Sequence, residues 1–571
     1  MKNRNRLFTT VIFALGCFAL CSTPKAFGVV PPPDGGYPGG NTAEGYLCLG
    51  SLTTGVYNTG VGVYSLLSIT DGSLCTGVGA GALFANTAGQ NTGIGAGALF
   101  SNSTGGQNTA NGSFALFSNT IGENNTAVGA AALLDNTEGA QNTATGSQAL
   151  FSNTTGSFNM ANGYQALLSN IDGNYNTASG LQALFHNTSG SNNVAIGPGA
   201  LFFNDTGISN TAIGAGFVLY NNTTGNYNTA VGDFALANSI TGGNNTAIGV
   251  NALYNNTVDG NTAVGFDALA SNTIGPANTA NGEFALVNNT EGALNTGTGA
   301  GALQSNTLGN NNTGTGVGAL QDTNIGVANT AHGTYALAAN TSGSFNTADG
   351  ASALPNNTMG NNNTALGVNA GTGVTTATNV ICIGVNIAGA NVDNSCYIGN
   401  IFGQPIDPAT AIAVGVDASG KLGTTVSSRR FKHDIKAMDR ASEALLALKP
   451  VTFHYKDDAK GTPQFGLIAE EVAEVNPDLV VRAKNGEILT VHYDAVNAML
   501  LNEFLKEHKR VEEQQSTITQ LKNDFQLASA EQQKEIQLLT AQLKEQAAQI
   551  HRVSAQLEVS RPTPQMAINK P

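Results

Sequence analysis

The chain has 571 residues, a net charge of −14 at pH 7, 71 glycines, no tryptophan and 11% charged residues. So much glycine with so little charge excludes an ordinary globular core and points to repetitive strand-and-turn architecture. Four of the 24 basic residues (Lys2, Arg4, Arg6, Lys25) precede residue 26, and the other 20 lie at or beyond Lys421. The segment between them cannot neutralise phosphates, which excludes nucleic acid as its partner.

At the N-terminus, Lys2, Arg4 and Arg6 precede an apolar run from Leu7 to Leu20, and Ala26-Phe27-Gly28 fits a small-x-small cleavage site. This pattern predicts a signal peptide over 1–28, a linker over 29–40, and a secreted or cell-surface protein. No later segment reaches 18 apolar residues, so no transmembrane helix is expected. Four cysteines remain after the signal: Cys48, Cys75, Cys382 and Cys396. Export permits disulfides, and Cys382 with Cys396 is the nearer pair, although spacing alone does not fix connectivity.

From residue 41 to about 371 the chain repeats every 17 residues, with 20 starts from Asn41 to Asn363 and a few steps of 16 or 18. A repeat this short and numerous implies a solenoid. The unit is N-T-A-x-G-x-x-A-L-x-x-N-T-x-G-x-x, as in Asn125 to Gln141. Ala or Gly at the third position (Ala110, Ala127, Ala195) implies close backbone approach. Leucine at the ninth (Leu99, Leu133, Leu253) implies a stacked apolar column. The fifth- and fifteenth-position glycines (Gly129, Gly139) are expected to supply positive-φ corners. Asparagines at positions one and twelve (Asn125, Asn136) are expected to tolerate left-handed corners and to stack amides between coils. One coil per repeat gives a rod on the order of 90 Å long. The variable fourth position (Ile94, Asn111, Val128, His332, Asp349) suits an outer surface or a subunit interface. The N-T-A-x-G phrase resembles the head repeats of trimeric autotransporter adhesins.

The acids of the repeat (Asp135, Glu138, Asp205, Asp233, Glu283, Asp349) are scattered over the unit. Glycan cleavage needs two carboxylates at a defined separation, and nothing in this spacing supplies them. His186 and His332 occupy different repeat positions and read as surface residues. A structural or adhesive rod is the expectation. Its partners would be other copies of itself and, for an adhesive rod, a cell-surface glycan or host surface. No cofactor or metal is implied.

An irregular β connector follows over 372–425, with strands at Val380 to Gly384, around Tyr397, and at Ala411 to Val416. Beyond it, Asp439 can cap a helix over 440–448 that Pro450 stops. Val451 to Tyr455 reads as a strand, 465–475 as a helix, and Leu479 to Arg482 with Ile488 to Val491 as a hairpin. A long helix runs over 495–557, with Phe504, Val511, Ile518 and Phe525 seven apart and a second such series from Ile536 to Leu557. Sustained heptads imply a coiled coil and a homo-oligomer, with β-branched core positions compatible with a trimer. Residues 558–571 read as a disordered tail.

Ser427-Ser428-Arg429-Arg430-Phe431-Lys432 opens a series of blocks that continues with Leu448-Lys449-Pro450-Val451, Phe465-Gly466-Leu467-Ile468-Ala469-Glu470-Glu471-Val472 and Tyr493-Asp494. Over 426–511 the chain thus resembles the intramolecular chaperone auto-processing domain that closes phage tail spikes, endosialidases and many bacterial fibre proteins. The resemblance implies a Ser–Lys self-cleaving peptidase that assembles its own trimer. Ser427 and Lys432 would be the catalytic pair and Ser427-Ser428 the cleavage site. Arg429 and Arg430 would favour a neutral lysine, and His433 is an alternative base. An extended chain separates Ser427 from Lys432 by about 17 Å, so the pair requires a turn or a second subunit.

The expected fold is therefore mainly β: a parallel β-solenoid or β-roll stalk, a small α+β chaperone domain, and a C-terminal coiled-coil helix in a homotrimer. The alternatives are a non-cleaving adhesin with a permanent trimeric foot and a tail-spike-like fibre that degrades glycans.

Overall fold

The computed structural model describes residues 37–559 except 418, 457 and 484. The expected signal peptide, most of the linker and the tail from residue 560 lie outside the described residues. The chain divides between Gln404 and Pro405 into two compact units.

The first unit is a parallel β-solenoid. Each coil contributes one three-residue strand, from β1 (Thr42–Glu44) to β22 (Cys396–Ile398), and all join one 22-stranded sheet. Corresponding repeat positions pair in register, as Ala110 with Ala127 and Ala127 with Ala144. Threonine opens most strands and glycine follows the third residue, so β-branched propensity and a flexible stop confine each strand to T-A-x. The middle alanine is fully buried, as at Ala110, Ala127 and Ala144, and it packs beside the unbroken column of Leu116, Leu133 and Leu150. Each buried leucine contributes about 1.5–3 kcal/mol.

The fifth-position glycine forms a positive-φ corner as expected, and the other corners differ from expectation. In the coil of Asn125, the left-handed residues are Gly129 (φ 135°), Ala131 (φ 56°), Leu133 (φ 52°) and Gln141 (φ 57°). Neither Asn125 nor Asn136 is among them; both point inward and are buried. Asn125 Nδ2 donates to Gly139 O (2.8 Å), and its Oδ1 accepts from Asn142 N at 3.0 Å in the next coil. Asn136 Nδ2 donates to Asn119 Oδ1 (2.7 Å) and to Gly139 O (2.9 Å). The expected amide stacking is therefore present as two internal ladders. The second ladder is interrupted where Ser239 and Thr323 replace asparagine. Ser239 Oγ, Thr323 Oγ1 and the Oδ1 atoms of Asn222 and Asn306 have no hydrogen-bond partner there.

The fifteenth-position glycine serves space rather than φ. A Cβ on Gly105 would lie 2.3 Å from Gly122 O and 2.8 Å from Asn102 Oδ1, whereas one on Gly106 would meet only Gly89 O, at 3.6 Å. Gly105→Ala is therefore expected to cost about 2–3 kcal/mol by overpacking. Gly106→Ala, one residue on, should stay within about 0.5 kcal/mol of the parent. Denaturant unfolding of the two variants measures the difference.

The favoured cysteine pair is not formed. Cys382 is buried, Cys396 is exposed, and all four described cysteines are free. Cys396 pairs in register with Ile381, one residue from Cys382. Strand side chains alternate between faces, so the two thiols lie on opposite sides of the sheet. Burial pushes the Cys382 thiol pKa up, with a smaller contribution from Cys396.

In the second unit, β23 (Val414–Val416) pairs antiparallel with β24 (Leu422–Thr424), and a 3-10 turn spans Arg429–Phe431. The helix expected over 440–448 is a 3-10 helix, Asp439–Ala447. Asp439 does not cap it; this residue lies inside the helix at φ 42°, and no side-chain cap bond forms. β25 (Val451–Phe453) pairs antiparallel with β26 (Gln464–Gly466). This pairing takes Phe465 and Gly466 out of the helix expected at 465–475, which begins only at Ala469 as α1 (Ala469–Val475). The hairpin of β27 (Val480–Arg482) and β28 (Ile488–Val491) follows, then α2 (Tyr493–Val559). Val472, Leu479, Val491 and Met499 form the core, ringed by Leu445, Leu448, Leu467 and Val496. No helix among the described residues is long and apolar enough to cross a membrane.

Candidate active site

The hydroxyl of Ser427 and the amine of Lys432 meet within one chain. Ser428 is extended (φ −64°, ψ 144°), and Phe431 N donates to Ser428 O at 2.9 Å. That closes a 3-10 turn over Arg429–Phe431, and Lys432, extended again at φ −123°, turns its side chain back toward Ser427. Lys432 Nζ donates to Ser427 Oγ at 2.9 Å. The turn thus replaces a separation of about 17 Å in extended chain. With a neutral amine, the same contact would run in the opposite sense and the hydroxyl would donate.

The neighbouring candidates divide. Arg430 lies over the Phe431 ring with Cζ 4.6 Å from its centroid. Arg429 sits in the same turn, so both guanidinium groups belong to the segment that closes the pair. His433 turns away: its Nδ1 lies 2.9 Å from Asp434 Oδ2, and both side chains are almost fully exposed. Ser427, Ser428 and Lys432 are exposed as well. A serine hydroxyl becomes a nucleophile when a base takes its proton, and lysine serves as that base once burial or positive neighbours have removed its own.

A second polar cluster escaped the sequence reading. Ser442, fully buried on the 3-10 helix, accepts from Asn502 Nδ2 (2.6 Å) and Lys506 Nζ (3.3 Å) and donates to Glu503 Oε1 (2.5 Å). Lys506 also donates to Glu503 at 2.6 Å. Hydrogen bonds from Lys506 and then Ser442 hold the Glu503 carboxyl below its ordinary pKa. This cluster fastens the 3-10 helix to the base of α2. Among the polar residues Asp439, Arg440, Ser442 and Glu443, nothing in the sequence marked Ser442 as the buried one. Beside it opens an apolar groove lined by Leu445, Pro450, Phe465, Leu467, Val496 and Leu500. Along α2, Ile518, Leu521, Phe525, Leu543 and Ile550 are all exposed.

No curated protein and no solved structure matches this chain. Residues 427–481, beginning at Ser427 itself, match the family model described as the chaperone of endosialidase. The second unit is thus similar to that chaperone over the segment that holds the serine, the turn, the lysine and the first half of its core.

Proposed function

We propose that the protein is an exported fibre whose C-terminal domain assembles three chains through the α2 helices and then cuts itself free of the stalk. The observation that carries this reading is the 2.9 Å contact between Lys432 Nζ and Ser427 Oγ at the first residue of the family match. A neutral Lys432 takes the hydroxyl proton, and the alkoxide attacks a neighbouring peptide carbonyl. The amine leaves with a proton from the lysine, and water hydrolyses the resulting ester. Each serine reaches the carbonyl of the residue before it through a five-membered ring. Ser427 as nucleophile therefore cuts Val426–Ser427, and Ser428 would cut Ser427–Ser428.

Exposure of the pair in a single chain supports cleavage that waits for assembly. A lysine in water keeps its proton, and a second chain covering the site would supply the desolvation. The exposed apolar groove and the exposed heptad positions of α2 support such covering. Removing the domain after assembly would leave a stalk that cannot readily reverse its folding path. The stalk's adhesive role toward a surface glycan belongs to the same reading.

Denaturing gels and intact mass test it. Wild type should release a fragment of 145 residues (571 − 426), about a quarter of the 58.2 kDa chain. Ser427→Ala should remain whole if Ser427 is the nucleophile. Cleavage retained in Ser427→Ala, with a fragment shorter by one serine, would move the nucleophile to Ser428. An uncut wild-type chain that is nevertheless oligomeric would reduce the domain to a permanent foot.

A further inference from the structure

Along the stalk the second and fourth repeat positions point outward from the sheet while the third is buried. The fourth-position column is not random. It is apolar without a break through Ile196, Ile213, Val231, Ile248 and Val264. Ile196 and Ile248 are each 41% exposed. Five coils at about 4.7 Å make this strip about 19 Å long. Shorter apolar strips lie at Val61 to Ile94 and from Leu366 onward. The runs between them are polar: Asn111 to Ser179, broken only by Val128, and Asn281 to Asp349.

We propose that this sheet face is where copies of the chain pack on one another, parallel and coil for coil. The proposal rests on the self-assembly reading above for why copies meet, and adds which surface they use and what sets their register. Three observations favour a second copy as the occupant. The first is charge. Fifteen acids and no lysine or arginine lie between residues 41 and 398, and only Glu44 and Asp349, both outside the span 59–332, are at an outward strand position. A face carrying the other acids would repel its own copy, whereas this face is free of charge through all its apolar strips. The second is area. About 22 strands at 4.7 Å, each about 10 Å long, present on the order of 1,000 Å² per copy, which is enough for a stable interface. The third is pattern. The strips have unequal lengths and spacings, so sliding one copy five coils toward the C-terminus lays the Ile196–Val264 strip against the polar run Asn281 to Asp349. Register is thus written in the fourth position, although every coil has the same backbone.

Cysteine cross-linking of the full chain in a Cys396→Ser background tests the proposal. Oxidised Ile248→Cys and Ile94→Cys chains should each give a covalent dimer on a non-reducing gel. Glu138→Cys, exposed on another face, should not. Tagged Ile94→Cys coexpressed with untagged Ile248→Cys should give no mixed dimer. Equal cross-linking through position 138 would overturn the assigned face, and efficient mixed dimers would overturn the register. A chain that is oligomeric by light scattering yet fails to cross-link at 94 and 248 would sink the proposal, as would a monomeric one. Release of the C-terminal fragment is scored separately on the reduced gel, so failure of the face and failure of self-cleavage remain distinct results.

Discussion

Lys432→Ala is expected to remain full length while the parent chain is cut, a slowing of about 10²–10⁴-fold, the usual contribution of a general base. The informative companion is Lys432→Arg. A guanidinium can still donate a hydrogen bond to Ser427 Oγ, but it does not deprotonate and cannot act as a base. If lysine only positions the serine, arginine should rescue; if it takes the proton, arginine should be as dead as alanine. His433→Ala should cut at the parental rate, because that imidazole is engaged with Asp434 rather than with the serine. Loss of cleavage in His433→Ala with retention in Lys432→Arg would transfer the role of base to the histidine. All three variants sit on an exposed segment, so circular dichroism should show them folded.

The other large effect is expected inside the stalk. Asn170 Nδ2 donates to Asn153 Oδ1 (2.7 Å) and Gly173 O (3.0 Å), and its own Oδ1 accepts from Asn187 (2.8 Å). Asn170→Leu removes all three bonds and leaves Asn153 Oδ1 and one N–H of Asn187 unpaired in the two adjacent coils, while Gly173 O keeps its bond from Asn159 Nδ2. At about 1–3 kcal/mol for each unsatisfied group, the loss should reach about 2–6 kcal/mol. It should stay local, because a solenoid coil touches only its neighbours. Hydrogen exchange should show lost protection across 153–187 and unchanged protection at coils far along the rod. The opposite change, Ser239→Asn, should repair a ladder and gain about 1 kcal/mol. A global collapse on Asn170→Leu would refute the independence of coils.

The two ends of the chain were legible to different degrees. The 17-residue period, the leucine column and the small third residue follow from packing one coil on the next, and repetition made them visible. The corner at the fifth-position glycine was legible, and Gly129 occupies it; those at Ala131, Leu133 and Gln141 were not, because propensity argues against them. Leucine is among the last residues expected at φ near 52°, where a side chain costs about 1–2 kcal/mol. Yet Leu133 and its equivalents sit there, and full burial of the same side chain offsets the strain. Asparagine was assigned the corners for its tolerance of them, when its amide was needed inside to satisfy carbonyls that no strand could reach. In the second unit, the blocks around Ser427 and Phe465 located the domain, while local pattern misassigned Phe465-Gly466 to a helix. Pairing with Val451 and Thr452, twelve or more residues away, decides that segment, and no short window contains it. The serine and lysine were named from the sequence; the turn that joins them was left open between one chain and two. The bond from Phe431 N to Ser428 O closes a turn that brings Lys432 Nζ to Ser427 Oγ in a single chain.

The two interruptions of the asparagine ladder have a mechanical consequence. Hydrogen bonds between coils run along the rod, so a pull on its ends loads every joint in series and the weakest one gives first. At Ser239 and Thr323 the twelfth-position amide bond between successive coils is missing, while the first-position ladder and the backbone pairing continue. Between Asn86 and Asn357, tension would therefore open the stalk first at these two places, into segments that each keep an unbroken ladder. A tether built this way yields by stages and absorbs a jerk that a uniform rod would transmit whole to whatever it is anchored in.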